Sequence, residues 1–129
     1  MPLFIFFVFR LSAPLMFFWE ALAASLAARF LIVEPLKWLI QRKRPYEVGR
    51  AITLIGNPLG SAFPSGHAAF FFSLAATAFF YDEIWGSIFL LGALIVSISR
   101  VIAGVHWKTD IIVGALIGIA ASFSIHLLF

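Results

Sequence analysis

The chain has 129 residues, which suits one domain, with 63% apolar and 12% charged residues and a mean hydropathy of +1.06. A soluble domain carries about 25% charged residues, so this chain has too little polar surface for a water-soluble globule, and the bilayer is its natural solvent. No cysteine occurs, which excludes disulfides, thiolate metal sites and cysteine nucleophiles. The net charge of +3 comes from few basic residues scattered among apolar runs, a pattern that suits anionic lipid rather than nucleic acid.

Residues 2–9 form an apolar run that stops at Arg10. A signal peptide carries its positive charge before the apolar run and small residues after it; the reverse order here predicts a membrane helix or the end of one. This first segment, residues 2–18, is broken by Arg10 and Pro14. A second segment covers residues 19–41, is rich in Ala and Leu, and carries Glu20, Arg29, Glu34 and Lys37, a heavy polar load for lipid. Residues 42–63 are dense in Pro, Gly and basic side chains and predict a loop. Helices follow over residues 65–81, 84–101 and 109–129. The third and fourth are joined by the polar turn Tyr81-Asp82-Glu83, and a second irregular stretch covers residues 104–108. A span needs about 20 residues and as few as about 17 will do, so the third and fourth helices are near the lower limit. Gly114 and Gly118 form a GxxxG spacing on the fifth, which permits close helix packing. The expected fold is one all-α integral-membrane domain over residues 1–129, a bundle of four to five transmembrane helices.

If these helices alternate across the membrane, Lys37, Arg44, His67, Arg100, His106 and Asp110 gather at one end of the bundle. Arginine offers phosphate a planar fork and lysine a point charge. The Ser65-Gly66-His67 stretch adds backbone N–H groups at a helix start, an anion site by geometry and dipole, and Gly66 allows close approach. His106 and Asp110 are four residues apart, one helical turn on one face. A carboxylate there accepts the ring Nδ1–H and leaves Nε2 free, and an oriented imidazole aimed at a bound phosphate is a nucleophile; the spacing favours His106 but does not decide which histidine attacks. His67 is then available as general acid. His126, with no partner nearby in sequence, reads as a structural residue. Two His with Asp and Glu could ligate zinc, but the surrounding Lys and Arg repel a dication, and no metal site is expected.

These residues resemble a known family. Lys37, six residues, then Arg44-Pro45; Pro64-Ser65-Gly66-His67; and Ser99-Arg100, five residues, His106, three residues, Asp110 match, complete and in order, the three signatures of the type-2 phosphatidic acid phosphatases. The resemblance implies that His106 attacks phosphorus and becomes phosphorylated, that Asp110 orients it, and that His67 protonates the leaving group. It implies too that Lys37, Arg44, Arg100, the Ser65 hydroxyl and the Gly66 amide hold the phosphoryl oxygens. No metal or organic cofactor is implied. Membrane members of the family usually have six transmembrane helices with the first signature at the end of the third, so this chain looks short by one to two helices at its N-terminus. The family's soluble haloperoxidase branch does not fit the apolar composition.

By analogy with small bacterial members, the expected substrate is undecaprenyl diphosphate, with phosphatidate or phosphatidylglycerophosphate as the alternative. The implied partners are a lipid phosphate or diphosphate and membrane lipids. A truncated, non-catalytic membrane module is the alternative of another class; it predicts degraded signatures, and none is degraded. The resemblance implies a bacterial cytoplasmic membrane with the site facing outward, although the basic loop containing Arg42, Lys43 and Arg50 favours the cytoplasm by the positive-inside rule.

Overall fold

The computed structural model describes residues 2–53 and 60–129, with side chains from residue 13 onward. Every regular element among them is helical. Helix α1 (Pro2–Leu26) runs into a π-helical turn (Ala27–Val33) and then α2 (Glu34–Leu39). Leu26, Val33 and Glu34 all keep right-handed helical dihedrals, so the three pieces form one rod. The sequence suggests two segments here, residues 2–18 and 19–41, the first broken by Arg10 and Pro14; instead Pro14 sits inside α1, which continues past residue 18 without a break. A proline forfeits a single backbone bond, and membrane helices tolerate that where neighbours re-satisfy the backbone. The remaining rods are α3 (Gly66–Tyr81), α4 (Glu83–Ile102) and α5 (Lys108–His126), so the described residues form four long helical rods, within the expected four to five.

The polarity of this bundle is inside-out. Leu31, Leu91, Ile98 and Leu116 are each more than half exposed, while Ser25, Ser73, Thr77, Ser97 and Ser122 are buried. Large apolar side chains facing outward and small or hydroxylated ones facing inward are what lipid solvation selects. Residues Ala13–Leu39, Glu83–Ile102 and Lys108–His126 are long and apolar enough to cross a membrane. The protein is an integral membrane protein. Helix α3 is apolar but has only 16 residues, about 24 Å against a hydrocarbon core of about 30 Å. It packs against α1, α4 and α5, so it does not have to match the bilayer itself.

Glycine sets the closest of these contacts. A Cβ at Gly114 would lie 2.5 Å from the Ser65 carbonyl oxygen, and one at Gly118 would lie 2.2 Å from that of Ala69. The GxxxG pair is thus the seam on which α5 meets the start of α3. Gly118→Val should cost at least about 2 kcal/mol by overpacking, read as a lower midpoint in thermal unfolding in detergent; an unchanged midpoint would mean that the two helices separate at no cost.

The charged residues Glu20, Arg29, Glu34 and Lys37 of the first rod each have a partner. Glu20 is fully buried and accepts from the Tyr81 hydroxyl and lies 2.6 Å from His126 Nδ1. His126 also stacks on Phe80, with ring centroids 4.0 Å apart. His126 therefore has a structural partner 106 positions away in the chain. Arg29 pairs with Glu34, and Lys37 Nζ donates to the Ser61 carbonyl at 3.0 Å.

Candidate active site

Each candidate residue stands where a helix ends or begins. Lys37 is in the last turn of α2, Arg100 in the last turn of α4, Asp110 in the first turn of α5, and Gly66-His67 open α3. Ser65 caps that helix, its Oγ accepting from the Ala68 N–H at 3.2 Å, and its own N–H donates to the Asp110 carbonyl at 3.1 Å. The starts of α3 and α5 are thereby tied together. Arg44 precedes a single 3₁₀ turn (Pro45–Val48). The Tyr46 N–H of that turn donates to the Gly104 carbonyl at 3.1 Å, which ties the basic loop to the connection between α4 and α5. Gly104 has φ of +76°, a left-handed conformation that a residue with a Cβ adopts at a cost, and it reverses the chain just before His106.

His106 and Asp110 are both buried. Their Nδ1 and Oδ2 atoms are 3.4 Å apart, long for a hydrogen bond. Two closer donors fix the carboxylate. The Trp107 N–H reaches Oδ2 at 2.7 Å, and Arg42 Nη1 reaches Oδ1 at 2.9 Å. Arg42 also donates to Thr109 Oγ1 at 2.7 Å and lies over the Trp107 ring. Burial pushes the His106 imidazole below its usual value, and Arg44 and Lys37 act the same way against the opposing pull of Asp110. The ring is accordingly neutral at neutral pH, the form in which Nε2 has a lone pair to give.

The cations line one cavity of about 490 Å³, together with His67 and His106. Lys37, Arg44 and Arg100 all contribute to its wall, as do Gly66, Arg29 and Glu34. Arg44 is buried and held by the Val105 carbonyl at 2.9 Å and the Ser61 carbonyl at 3.4 Å. Burial lowers its pKa against the opposing pull of Glu47 and Asp110, the electrostatic cost of a guanidinium placed out of water. The Nε of Arg100 is buried and has no hydrogen-bond partner among the described residues. Cations packed together with so little compensating acid form a site for an anion. Ser65 lies behind the wall, fully buried; as an acceptor from Ala68 it keeps its own hydroxyl proton to donate.

Sequence reasoning missed Arg42, Arg29, Glu34 and Ser61. The signal for Arg42 was its unexplained charge in the loop. For Ser61, which accepts from the Arg42 N–H at 3.0 Å and gives its carbonyl to Lys37 and Arg44, a serine in a loop offers no signal.

The family model of the PAP2 superfamily matches residues 18–129. An undecaprenyl-diphosphatase of Sulfolobus acidocaldarius is 34% identical over 104 residues, which is 79% of this chain and 50% of that protein. The matched stretches cover 34 to 52% of the curated relatives' own lengths. Among solved structures, Aquifex aeolicus LpxE aligns over 99% of this chain and 75% of its own, with a TM-score of 0.72 and 29% identity. A transmembrane PAP2 type phosphatidylglycerolphosphate phosphatase from Bacillus subtilis aligns over 99% of this chain and 70% of its own, with the same TM-score and 25% identity. With the family model covering the whole site, this chain belongs to the PAP2 superfamily.

Proposed function

We propose that the chain hydrolyses a phosphate from a lipid phosphate or diphosphate through a phosphohistidine on His106. The observation that carries this reading is the single cavity in which Lys37, Arg44, Arg100, His67 and His106 meet, with Asp110 behind His106. The terminal phosphoryl group binds among the three cations and the Gly66 amide, with the buried Ser65 hydroxyl behind that wall. Neutral His106 attacks phosphorus through Nε2, and Asp110 stabilises the imidazolium that forms. His67, exposed to the cavity, takes up a proton as the substrate's negative charge comes to lie beside it among the cations, and gives that proton to the leaving oxygen. Water then attacks the phosphohistidine, His67 takes its proton, and phosphate leaves. Stabilisation of the transferring group by fixed cations is the largest contribution in such reactions.

Undecaprenyl diphosphate is the proposed substrate, supported by the name of the Sulfolobus relative. Phosphatidylglycerophosphate is the second reading, favoured by the likeness to the Bacillus subtilis phosphatase. Purified chain in lipid, given undecaprenyl diphosphate, phosphatidylglycerophosphate and phosphatidate in turn, should release phosphate fastest from the first and should do so undiminished in EDTA. Loss of release in EDTA would overturn the metal-free mechanism, and release from none of the lipids in a folded sample would favour a non-catalytic membrane module.

Two further expectations arise from the geometry. Because the His106 imidazole is held below its ordinary 6.5, the neutral nucleophile persists as pH falls through that value. Activity should be lost only below it, so the acid limb of kcat/KM should lie under pH 6.5; a limb above that value would assign the titration to another group. Arg42→Ala should lower kcat about 10-fold, because the Asp110 carboxylate loses a charge-assisted bond. The same loss leaves the Asp110 charge beside His106 less compensated and should move the acid limb to higher pH. An unmoved limb would reduce Arg42 to a structural role.

The proposed orientation faces the site outward. Arg42 is engaged by Asp110, which gives one of the loop's charges a reason to be there other than topology.

A further inference from the structure

Arg29 is a cation of the cavity that the three signatures leave out. It lies in the π-helical turn (Ala27–Val33), where the widened helix carries an extra residue per turn and re-aims its side chains, a distortion frequent at functional sites. Its guanidinium crosses the face of Gly66: a Cβ built there would lie 2.6 Å from Arg29 Nε and 2.8 Å from Cζ. Arg29, Gly66 and His67 line the main cavity and also a flank groove of about 310 Å³ whose other walls are Phe30, Phe70 and Phe71. The three residues thus form the sill between a cationic cavity and an aromatic groove on the bundle's side. A lipid tail seated in that groove reaches the cations only by passing Arg29 and His67.

The order of groups along such a ligand follows. With the terminal phosphoryl among Lys37, Arg44 and Arg100, the bridging oxygen lies at His67, and the next group toward the tail lies at Arg29. In a diphosphate that group is the second phosphate. In a monoester it is an uncharged carbon. We propose that Arg29 is a specificity-determining residue that holds the second phosphate of an isoprenyl-type lipid diphosphate; the inference rests on the phosphatase reading above. His106 Nε2 forms its bond to the terminal phosphorus as the bond from that phosphorus to the bridging oxygen breaks. The electron pair and the His67 proton go to the departing lipid monophosphate, whose remaining charge Arg29 compensates. In the free protein Glu34 supplies that countercharge through its ion pair with Arg29, and the second phosphate takes over from it.

The test uses the full chain in lipid with an isoprenyl diphosphate and the isoprenyl monophosphate of the same chain length, so that the second phosphate is the sole difference. Arg29→Gln should lower kcat/KM on the diphosphate about 100-fold, the scale of a charge-assisted contact, and change the monophosphate by less than about 3-fold. Arg29→Lys, which keeps the charge and loses the fork, should fall between on the diphosphate. An equal fall on both substrates, or no fall on the diphosphate, overturns the proposal. Binding of a non-hydrolysable isoprenyl methylenebisphosphonate against the matching phosphonate separates this from the phosphatase reading. If wild-type chain turns over neither substrate but still prefers the bisphosphonate, and Arg29→Gln abolishes that preference, the subsite stands and the catalytic reading fails. A preference indifferent to Arg29→Gln overturns the subsite.

Discussion

His106→Ala should lower kcat/KM for phosphate release by about 10⁴-fold or more, the scale seen when a nucleophile is removed and only binding and electrostatics are left. The fold should survive the change. Asp110 keeps its two closer bonds, from the Trp107 N–H at 2.7 Å and from Arg42 at 2.9 Å, so no buried charge is stranded. The three cations remain, and inhibition by inorganic phosphate or vanadate should persist within a few-fold while turnover is lost. Turnover that survives within about 10-fold would remove His106 from the nucleophile's role.

Asp110→Asn should cost about 10³ to 10⁴ in kcat with little change in the affinity for phosphate, by the logic that a wrong tautomer leaves geometry intact but silences the base. The reasoning is atom by atom. Asp110 accepts on both oxygens: from Arg42 on Oδ1 and from the Trp107 N–H on Oδ2, where His106 Nδ1 also approaches. An asparagine oxygen facing Arg42 turns its NH₂ toward the Trp107 N–H and the histidine. Two donors then oppose the amide, and the imidazole is driven to put its proton on Nε2, the atom that must be bare to attack phosphorus. The start of α5 also loses the carboxylate that accepts from the Trp107 N–H, so a stability loss of about 1 kcal/mol, read as a lower unfolding midpoint, accompanies the change. A kcat loss under about 10-fold, with the tautomer seen unchanged by ¹⁵N NMR of the histidines, would mean that Asp110 serves the fold and not the chemistry.

The candidate site was more legible in the sequence than the frame that holds it. The signatures name their residues because phosphate demands rare side chains, and in a chain of 12% charged residues each stands out against the apolar background. Helices α3, α4 and α5 are likewise visible as apolar runs between polar turns. The first rod was not, because Pro14 reads as a breaker from local rules although α1 continues through it, and because a π-helical turn has no compositional mark. Long-range pairs were also hidden: Glu20 with His126 and Tyr81, and Arg42 with Asp110. From sequence Glu20 and Arg42 were charges without a purpose, and each makes a buried or half-buried carboxylate contact across the bundle. An ionisable residue in a membrane helix needs a partner, but only the fold says which one.

The covalent intermediate is tested most directly by the stereochemical course at phosphorus. A lipid substrate whose terminal group is an isotopically chiral thiophosphate is hydrolysed in labelled water, and the configuration of the released thiophosphate is read. Attack by His106 followed by attack of water inverts the centre twice, so net retention is predicted, whether or not the phosphohistidine accumulates. Net inversion would mean that water attacks phosphorus directly, and would contradict a phosphohistidine on His106.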